Sequence, residues 1–199
     1  MFEGHLTDLY LYPNELKLIQ KDKNRNIPFQ FGLNFSILEG SQGEAIGLEF
    51  CFGDAKIKLE REFWPRSKEW ETLLLNYVTR KEFHEFFKPM RKIGRGNFAT
   101  VYLAEDIHGN RRVAIKAFMK EVSFKGDGKA SVENEIKLMR RFKHPNIINL
   151  HGVYETKNSL YLSMEYVEGF TLDTFMRKHK NITVEQRRKI MKGLLNGLK

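Results

Sequence analysis

Residues 93–103 read Ile-Gly-Arg-Gly-Asn-Phe-Ala-Thr-Val-Tyr-Leu, and no other stretch restricts the fold as much. Two glycines one residue apart, Gly94 and Gly96, mark a place where backbone can turn and approach another group closely. Their flanks decide the class of turn. In a dinucleotide-binding turn the glycines open into a helix, so that a pyrophosphate meets the helix N-terminus. Here Phe98, Thr100, Val101, Tyr102 and Leu103 follow, and β-branched and aromatic residues favour a strand. The spacing therefore predicts a hairpin whose glycine tip lets N–H groups come up against a phosphate. A plain β-turn is the alternative.

Downstream, Val113-Ala114-Ile115-Lys116 is a buried-strand run that ends in a cation. A helix is predicted over Ser131–Phe142, its inward face formed by Val132, Glu135, Ile136, Met139 and Phe142. A carboxylate on an apolar stripe is anomalous unless it is paired. Lys116 is the natural partner of Glu135, with Glu133 the rival acid on the same helix. Lys116 as a surface strand lysine is the plainer reading of that residue.

The first 80 residues carry a different pattern. Leu9 and Leu11 alternate with Tyr10 and Tyr12, and Leu16 and Leu18 follow across a Pro13-Asn14 turn. Phe29, Phe31, Leu33, Phe35 and Ile37 keep a strict period of two, which predicts one half-buried strand. Ile46–Phe52 and Ala55–Glu60 predict two more strands, joined at Gly53-Asp54. After Trp64-Pro65 the period changes. Trp70, Leu73, Leu74, Tyr77 and Val78 mark one face of a helix, with Ser67 as its N-cap. The expectation is an antiparallel sheet closed by a helix.

Charge separates the halves. Residues 1–88 hold 12 Lys/Arg against 14 Asp/Glu, a net of −2, whereas residues 89–199 hold 22 against 11, a net of +11. A boundary near Lys88-Pro89 follows, and the basic half suits either a solvated surface or a polyanion such as a nucleoside triphosphate. A nucleic-acid partner is disfavoured, because aromatic residues are not interleaved with the basic ones. With 41% hydrophobic residues, 16 Phe and 7 Tyr the chain can build a core. No stretch approaches the roughly 18 uncharged apolar residues of a membrane span. Met1-Phe2-Glu3-Gly4-His5 does not read as a secretory signal, and a lone Cys51 fits a reducing compartment, so a cytoplasmic location is expected. His144 has no second His, Cys or carboxylate at ligand spacing, and no metal ligand is assigned.

The glycine hairpin, the Val-Ala-x-Lys strand and the helix glutamate, in that order, resemble the N-terminal lobe of a eukaryotic protein kinase. His144-Pro145-Asn146-Ile147-Ile148 is similar to the turn after that helix, and Leu160–Val167 to the strand entering the hinge. Ile182–Leu198 is similar to the start of the long helix that opens the second lobe. The run Ser131-Val132-Glu133-Asn134-Glu135-Ile136 looks most like the calcium/calmodulin-dependent group of serine/threonine kinases. Residues 1–85 resemble a pleckstrin-homology domain whose closing helix carries a Trp where Trp70 stands, incomplete at its N-terminus. The fold expected is α+β: a pleckstrin-homology-like sheet and helix over 1–85, then over 86–199 a five-stranded antiparallel kinase lobe with one main helix and the first helices of a second lobe.

The resemblance implies a role for each matched residue. Ile93, Gly94, Arg95, Gly96, Asn97, Phe98, Ala99 and Thr100 would form the loop over the triphosphate of ATP, with Phe98 capping its tip. Ala99 departs from the family's third glycine. Val101 and Ala114 would roof the adenine, Met164 would be the gatekeeper, and the backbones of Glu165 and Val167 would bond the base. Lys116 would hold the α- and β-phosphates and Glu135 would position Lys116. Met139 and Leu150 would join the helix to the second lobe, and Asp173 reads equally as a ribose contact or a solvated helix start. The family's His-Arg-Asp and Asp-Phe-Gly motifs do not occur in the sequence. The implied Mg²⁺ ligands are therefore not in this chain, which is expected to be a truncated piece and inactive alone. Its implied partners are ATP and a protein substrate. For the front segment the alternatives are packing against the lobe or, more weakly, a lipid head group through Lys17, Lys21, Lys23 and Arg25. A kinase-like module that binds partners without chemistry is the second hypothesis.

Overall fold

The computed structural model describes residues 8–19, 24–60, 67–179 and 181–198. Lys21, Lys23 and the Trp64-Pro65 pair lie outside them.

The chain opens with a three-stranded antiparallel sheet of β1 (Asp8–Leu11), β2 (Glu15–Ile19) and β3 (Asn24–Pro28), with Leu9 opposite Leu18 and Leu16 opposite Ile27. The β1–β2 link turns at Pro13-Asn14, where the Tyr12 N–H donates to the Glu15 carbonyl (2.9 Å). The aromatic alternation from Phe29 to Ile37 is not one strand. It is cut by a turn over Gln30–Leu33, closed by the Leu33 N–H on the Gln30 carbonyl (3.1 Å). Gly32 has φ +90°, a value for which a residue without Cβ is suited, and only beyond it does β4 (Asn34–Glu39) begin.

β4, β5 (Ala45–Phe52) and β6 (Ala55–Glu60) form an antiparallel meander, and Gly53 takes φ +57° in the turn expected there. Leu16, Leu18 and Ile27 from the small sheet, and Phe35, Leu48, Phe50 and Leu59 from the meander, bury against one another. Helix α1 (Ser67–Leu74) closes this core with Leu74, fully buried, and with Trp70 packed against it. The helix is shorter than its apolar face implies. Tyr77 and Val78 reach the same core from the turn that follows, where the Val78 N–H still bonds the Leu74 carbonyl (2.7 Å). Leu73, assigned to the inward face, is 46% exposed, and Ser67 is the first helical residue.

A two-residue strand, β7 (Thr79–Arg80), then runs parallel to β4 on one side and to a later strand on the other. Helix α2 (Phe83–Phe86) follows, and five antiparallel strands come next in two groups. They are β8 (Phe87–Arg95), β9 (Ala99–Asp106) and β10 (Arg111–Met119), then β11 (Leu150–Glu155) and β12 (Ser159–Glu165). Through β7 the hydrogen bonding is continuous in a nine-stranded sheet of order β6-β5-β4-β7-β11-β12-β10-β9-β8. Between β10 and β11 lie α3 (Lys120–Ser123) and α4 (Gly128–Arg141). α4 starts three residues before the predicted Ser131, because Lys129, Ala130 and Ser131 carry no apolar periodicity. Gly128 is needed there, since a Cβ would fall 2.2 Å from the Ser123 carbonyl oxygen.

The five-stranded part has a core on each face. On one, Val132 and Ile136 of α4 bury against Phe118, Val153, Leu160 and Leu162. On the other, Phe83 and Phe87 bury against Ala104, Val113, Ile115 and Tyr154. A fully buried Phe, Leu or Val side chain contributes about 1.5–3 kcal/mol, so both faces hold the sheet firmly. Phe142, expected to face inward, lies past the end of α4 and is 50% exposed. The chain continues through α5 (Leu172–Lys178) and α6 (Val184–Gly197). Thr183 and Gln186 form a reciprocal capping box at the start of α6, and Met191, Leu194, Leu195 and Leu198 lie exposed along its surface. Among the described residues no helix is long and apolar enough to cross a membrane.

Candidate functional site

The site is built where β8, β9 and β10 lie side by side. Gly94 pairs with Val101 and Val101 with Lys116, so the three positions form one row across the strands. Directly opposed residues of an antiparallel sheet point to the same face. That face is the one α4 covers, so the Lys116 side chain is aimed at the helix. Its Nζ stands 2.6 Å from the Glu135 carboxylate Oε1. Both groups keep some solvent contact, with Lys116 27% and Glu135 35% exposed. The Lys116 ammonium also lies 5.0 Å from the centre of the Phe118 ring. Glu133 is exposed and has no ion pair among the described residues.

Above the pair, the β8–β9 hairpin closes with the Gly96 N–H donating to the Ala99 carbonyl (2.8 Å), which leaves Asn97 and Phe98 at the tip. Neither Gly94 nor Gly96 adopts a left-handed φ, and a Cβ at Gly94 would meet Val101 at an ordinary 3.6 Å. Neither backbone strain nor crowding among the described residues therefore requires a glycine at these two positions. Phe98 is 63% exposed, but its carbonyl accepts a hydrogen bond from the buried Ser123 hydroxyl (2.6 Å), which ties the hairpin tip to α3. Sequence reasoning missed Ser123, since a serine in a short connecting helix carries no signal until its partner is known.

A cavity of about 450 Å³ lies between the hairpin, β10 and α4, with Lys116 and Glu135 in its wall beside Arg95, Phe98 and Ser131. Asn97, Gly96, Ala99 and Val101 also border it. Ile93, Gly94, Thr100, Ala114, Met164, Glu165 and Val167 do not line this volume. They occupy a second zone along the strands. Ala114 pairs with Met164, and Val113 with Glu165, across β10 and β12. Leu150 pairs with Met164, and Met139 packs onto the same core. The Glu165 N–H is engaged by the Asn149 carbonyl (2.9 Å), and its carboxylate accepts from the Asn149 side chain (3.2 Å), which fixes the end of β12. Val167 lies beyond that strand and is 62% exposed; Asp173 bonds Arg177 on α5.

Two titration shifts fall on β11 and α4, outside the lining of the cavity. Burial lowers the His151 imidazole below its ordinary value, with nearby Arg111 adding to the effect and Glu165 and Asp106 opposing it. Burial likewise pushes the Arg140 guanidinium down to about 10. Among the described residues no group of three or more His, Cys, Asp or Glu side chains is placed to hold a metal ion.

A cation aimed from a sheet at a carboxylate on the helix above it, under a glycine hairpin, is the arrangement expected of the N-terminal lobe of a protein kinase. Residues 87–199 match the family model of the protein kinase domain, and the chain belongs to the protein kinase family. It is 40% identical over 106 residues to CBL-interacting serine/threonine-protein kinase 12 of Arabidopsis thaliana, covering 53% of this chain and 22% of that protein. Over 83 residues it is 42% identical to a putative CBL-interacting protein kinase 13 of Oryza sativa subsp. japonica, covering 42% and 16%. Over 115 residues it is 31% identical to serine/threonine-protein kinase PLK4 of Danio rerio, covering 57% and 12%. The chain thus spans less than a quarter of the length of these relatives.

Proposed function

We propose that residues 86–199 are the ATP-binding lobe of a serine/threonine protein kinase, with the opening helices of its second lobe, and that residues 1–85 are a partial pleckstrin-homology-like unit packed against it. The observation that carries the first part is the 2.6 Å Lys116–Glu135 pair in the wall of a cavity beneath the glycine hairpin. A partly solvated ammonium fixed by one carboxylate keeps protons free to donate to the α- and β-phosphates of ATP. Glu135 sets the direction of Lys116, and the hairpin from Ile93 to Val101 covers the triphosphate. Ala114, Val101 and Met164 form the apolar wall of the base, and the Glu165 and Val167 backbones offer it hydrogen bonds. The serine/threonine class rests on the relatives' names.

In this reading the γ-phosphoryl passes to a protein hydroxyl only when Mg²⁺ ligands and a group that orients the hydroxyl are also present. The motifs that supply them are not among residues 1–199, so these residues bind nucleotide without turning it over. For residues 1–85, the antiparallel strands and the Trp70 of α1 against their core support the pleckstrin-like reading. Their hydrogen bonding to the lobe through β7 favours a packing role over a lipid site.

The test is titration with a fluorescent ATP analogue and Mg²⁺. Lys116→Met is expected to weaken binding at least tenfold, and Glu135→Gln less. Lys120→Met serves as the control, because Lys120 forms an equally short pair with Glu155 (2.6 Å) away from the cavity. Equal affinity of Lys116→Met and the unaltered chain would overturn the reading and favour a non-catalytic interaction module. Phosphotransfer by residues 1–199 above the Lys116→Met background would refute their inactivity.

A further inference from the structure

Helix α4 touches more than the sheet below it. Two loops of the front segment contact it, one near each end. At the start, the Lys129 ammonium sits over the Phe31 ring (5.8 Å), and Phe31 meets Phe124 of the α3–α4 link (6.1 Å between ring centres). In the last turn, the Arg140 Nη1 donates to the Tyr77 carbonyl at 2.6 Å. Just past it, the Lys143 ammonium reaches the Asn76 side-chain oxygen (3.4 Å). Lys129 and Arg140 are about 16 Å apart along the axis at 1.5 Å per residue. Glu135 lies midway between the two contacts.

The strengths of these contacts are unequal. The Lys116–Glu135 pair is partly hydrated on both sides, and water screens such pairs. It cannot by itself hold a 14-residue helix against the sheet. Arg140 differs: its Nε and Nη2 are buried without partners, so the Tyr77 carbonyl is its sole hydrogen-bonding partner among the described residues. Moving the last turn of α4 away would carry the guanidinium with it and break its charge-assisted hydrogen bond to the front segment.

We propose that Arg140 is a positioning residue: by fixing the last turn of α4 to the Tyr77 carbonyl, with Phe31 steadying the first turn, it lets the front segment hold Glu135 against Lys116. The functional consequence rests on the kinase-lobe reading; the positioning itself does not. The front segment is thus a brace on the helix whose placement decides whether the lysine is oriented. Any partner that bent the 76–77 loop or the 30–33 turn away from α4 would release Glu135.

The experiment uses the 199-residue chain and two readouts, amide hydrogen exchange of α4 and the rate at which Lys116 is acetylated by an amine-reactive reagent. A lysine held by a carboxylate is a poor nucleophile, and freeing it speeds acetylation. Arg140→Met is expected to raise exchange across α4 about tenfold and Lys116 acetylation about threefold, with exchange of β4–β6 unchanged. Arg140→Lys, which retains a donor, restores most of both effects. Phe31→Ala, at a half-buried position, shifts both readouts in the same sense and carries the test if Arg140→Met does not fold. Unchanged α4 exchange and Lys116 acetylation in folded variants would overturn the proposal. Nucleotide titration of the same samples separates the two claims: no binding by the unaltered chain removes the lobe reading and leaves these readouts standing.

Discussion

Arg80 is the residue whose replacement tests most directly how the front strands are joined to the kinase lobe. It belongs to β7, whose two residues carry the hydrogen bonding from β4 to β11. Its side chain is 6% exposed and bonds the Glu71 carboxylate of α1, with Glu82 at 3.8 Å. The guanidinium lies over Phe86 (4.2 Å) and near Phe35 (5.6 Å), so it touches both halves. Removing one partner of a buried ion pair costs about 3–5 kcal/mol. Glu71 and Glu82 are 22% and 34% exposed and can rehydrate, which reduces the loss. The lost contact with the aromatic rings adds about 0.5–1 kcal/mol, and among the described residues the Arg80 Nε has no hydrogen-bond partner to lose. Arg80→Met, which keeps most of the apolar contact, should therefore destabilise the chain by about 2–3 kcal/mol in urea unfolding. Adding Glu71→Gln and Glu82→Gln should recover about 1 kcal/mol or more, since no carboxylate is then stranded. Faster exchange is expected at Lys81 and Thr79, whose N–H groups donate to the Phe35 and Leu33 carbonyls. A change below about 0.5 kcal/mol in Arg80→Met, or no recovery in the triple variant, would refute this account of the join.

Three further predictions concern single positions. A Cβ at Gly47 would sit 2.2 Å from the Leu59 carbonyl oxygen, so Gly47→Ala should force β5 and β6 apart and cost about 2–3 kcal/mol in thermal or urea unfolding. Gly43→Ala, strained only by its φ of +80° in open space, should cost about 1 kcal/mol. His151 has its folded pKa lowered, so the unfolded chain binds the extra proton first as pH falls. Its contribution is fully present above about pH 6.5 and is lost as pH descends below that value. His151→Gln should flatten this limb of the stability–pH curve; an identical limb in the variant would contradict the assignment.

Much of the kinase lobe could be read in advance, because its chemistry sits on regular elements. A glycine tip between β-rich flanks predicts a hairpin, an apolar run predicts a buried strand, and a glutamate on a helix stripe predicts a partner. The turn at Gly32 was hidden because Phe29, Phe31, Leu33, Phe35 and Ile37 satisfy a period of two on both sides of it, and periodicity cannot detect a turn that preserves phase. β3 was hidden for the opposite reason: in Asn24–Pro28 only Ile27 is buried, too little for any pattern. β7 has two residues, fewer than any alternation needs. Arg140 reads from sequence as an ordinary cation in the last turn of a helix, and only the position of the Tyr77 carbonyl makes it a buried anchor.

Several residues invisible to pattern share a location. Tyr77, Arg80, Phe83 and Arg140 all lie where the front segment meets the lobe. Elements inside a unit answer to periodicity, since each must present one face to its own core. A junction obeys no such rule: it is made by a buried guanidinium, a backbone carbonyl and a stacked ring, each chosen by a neighbour remote in sequence. Phe83 shows this well, stacked at 3.8 Å on Tyr161, a partner 78 residues away. The back of the lobe sheet is consequently covered by the segment before it, and α4 is contacted near both ends by the same segment. Both faces of the strand that carries Lys116 are thus packed in part by residues that precede the kinase match, so the geometry of the Lys116–Glu135 pair depends on the front segment as well as on the lobe.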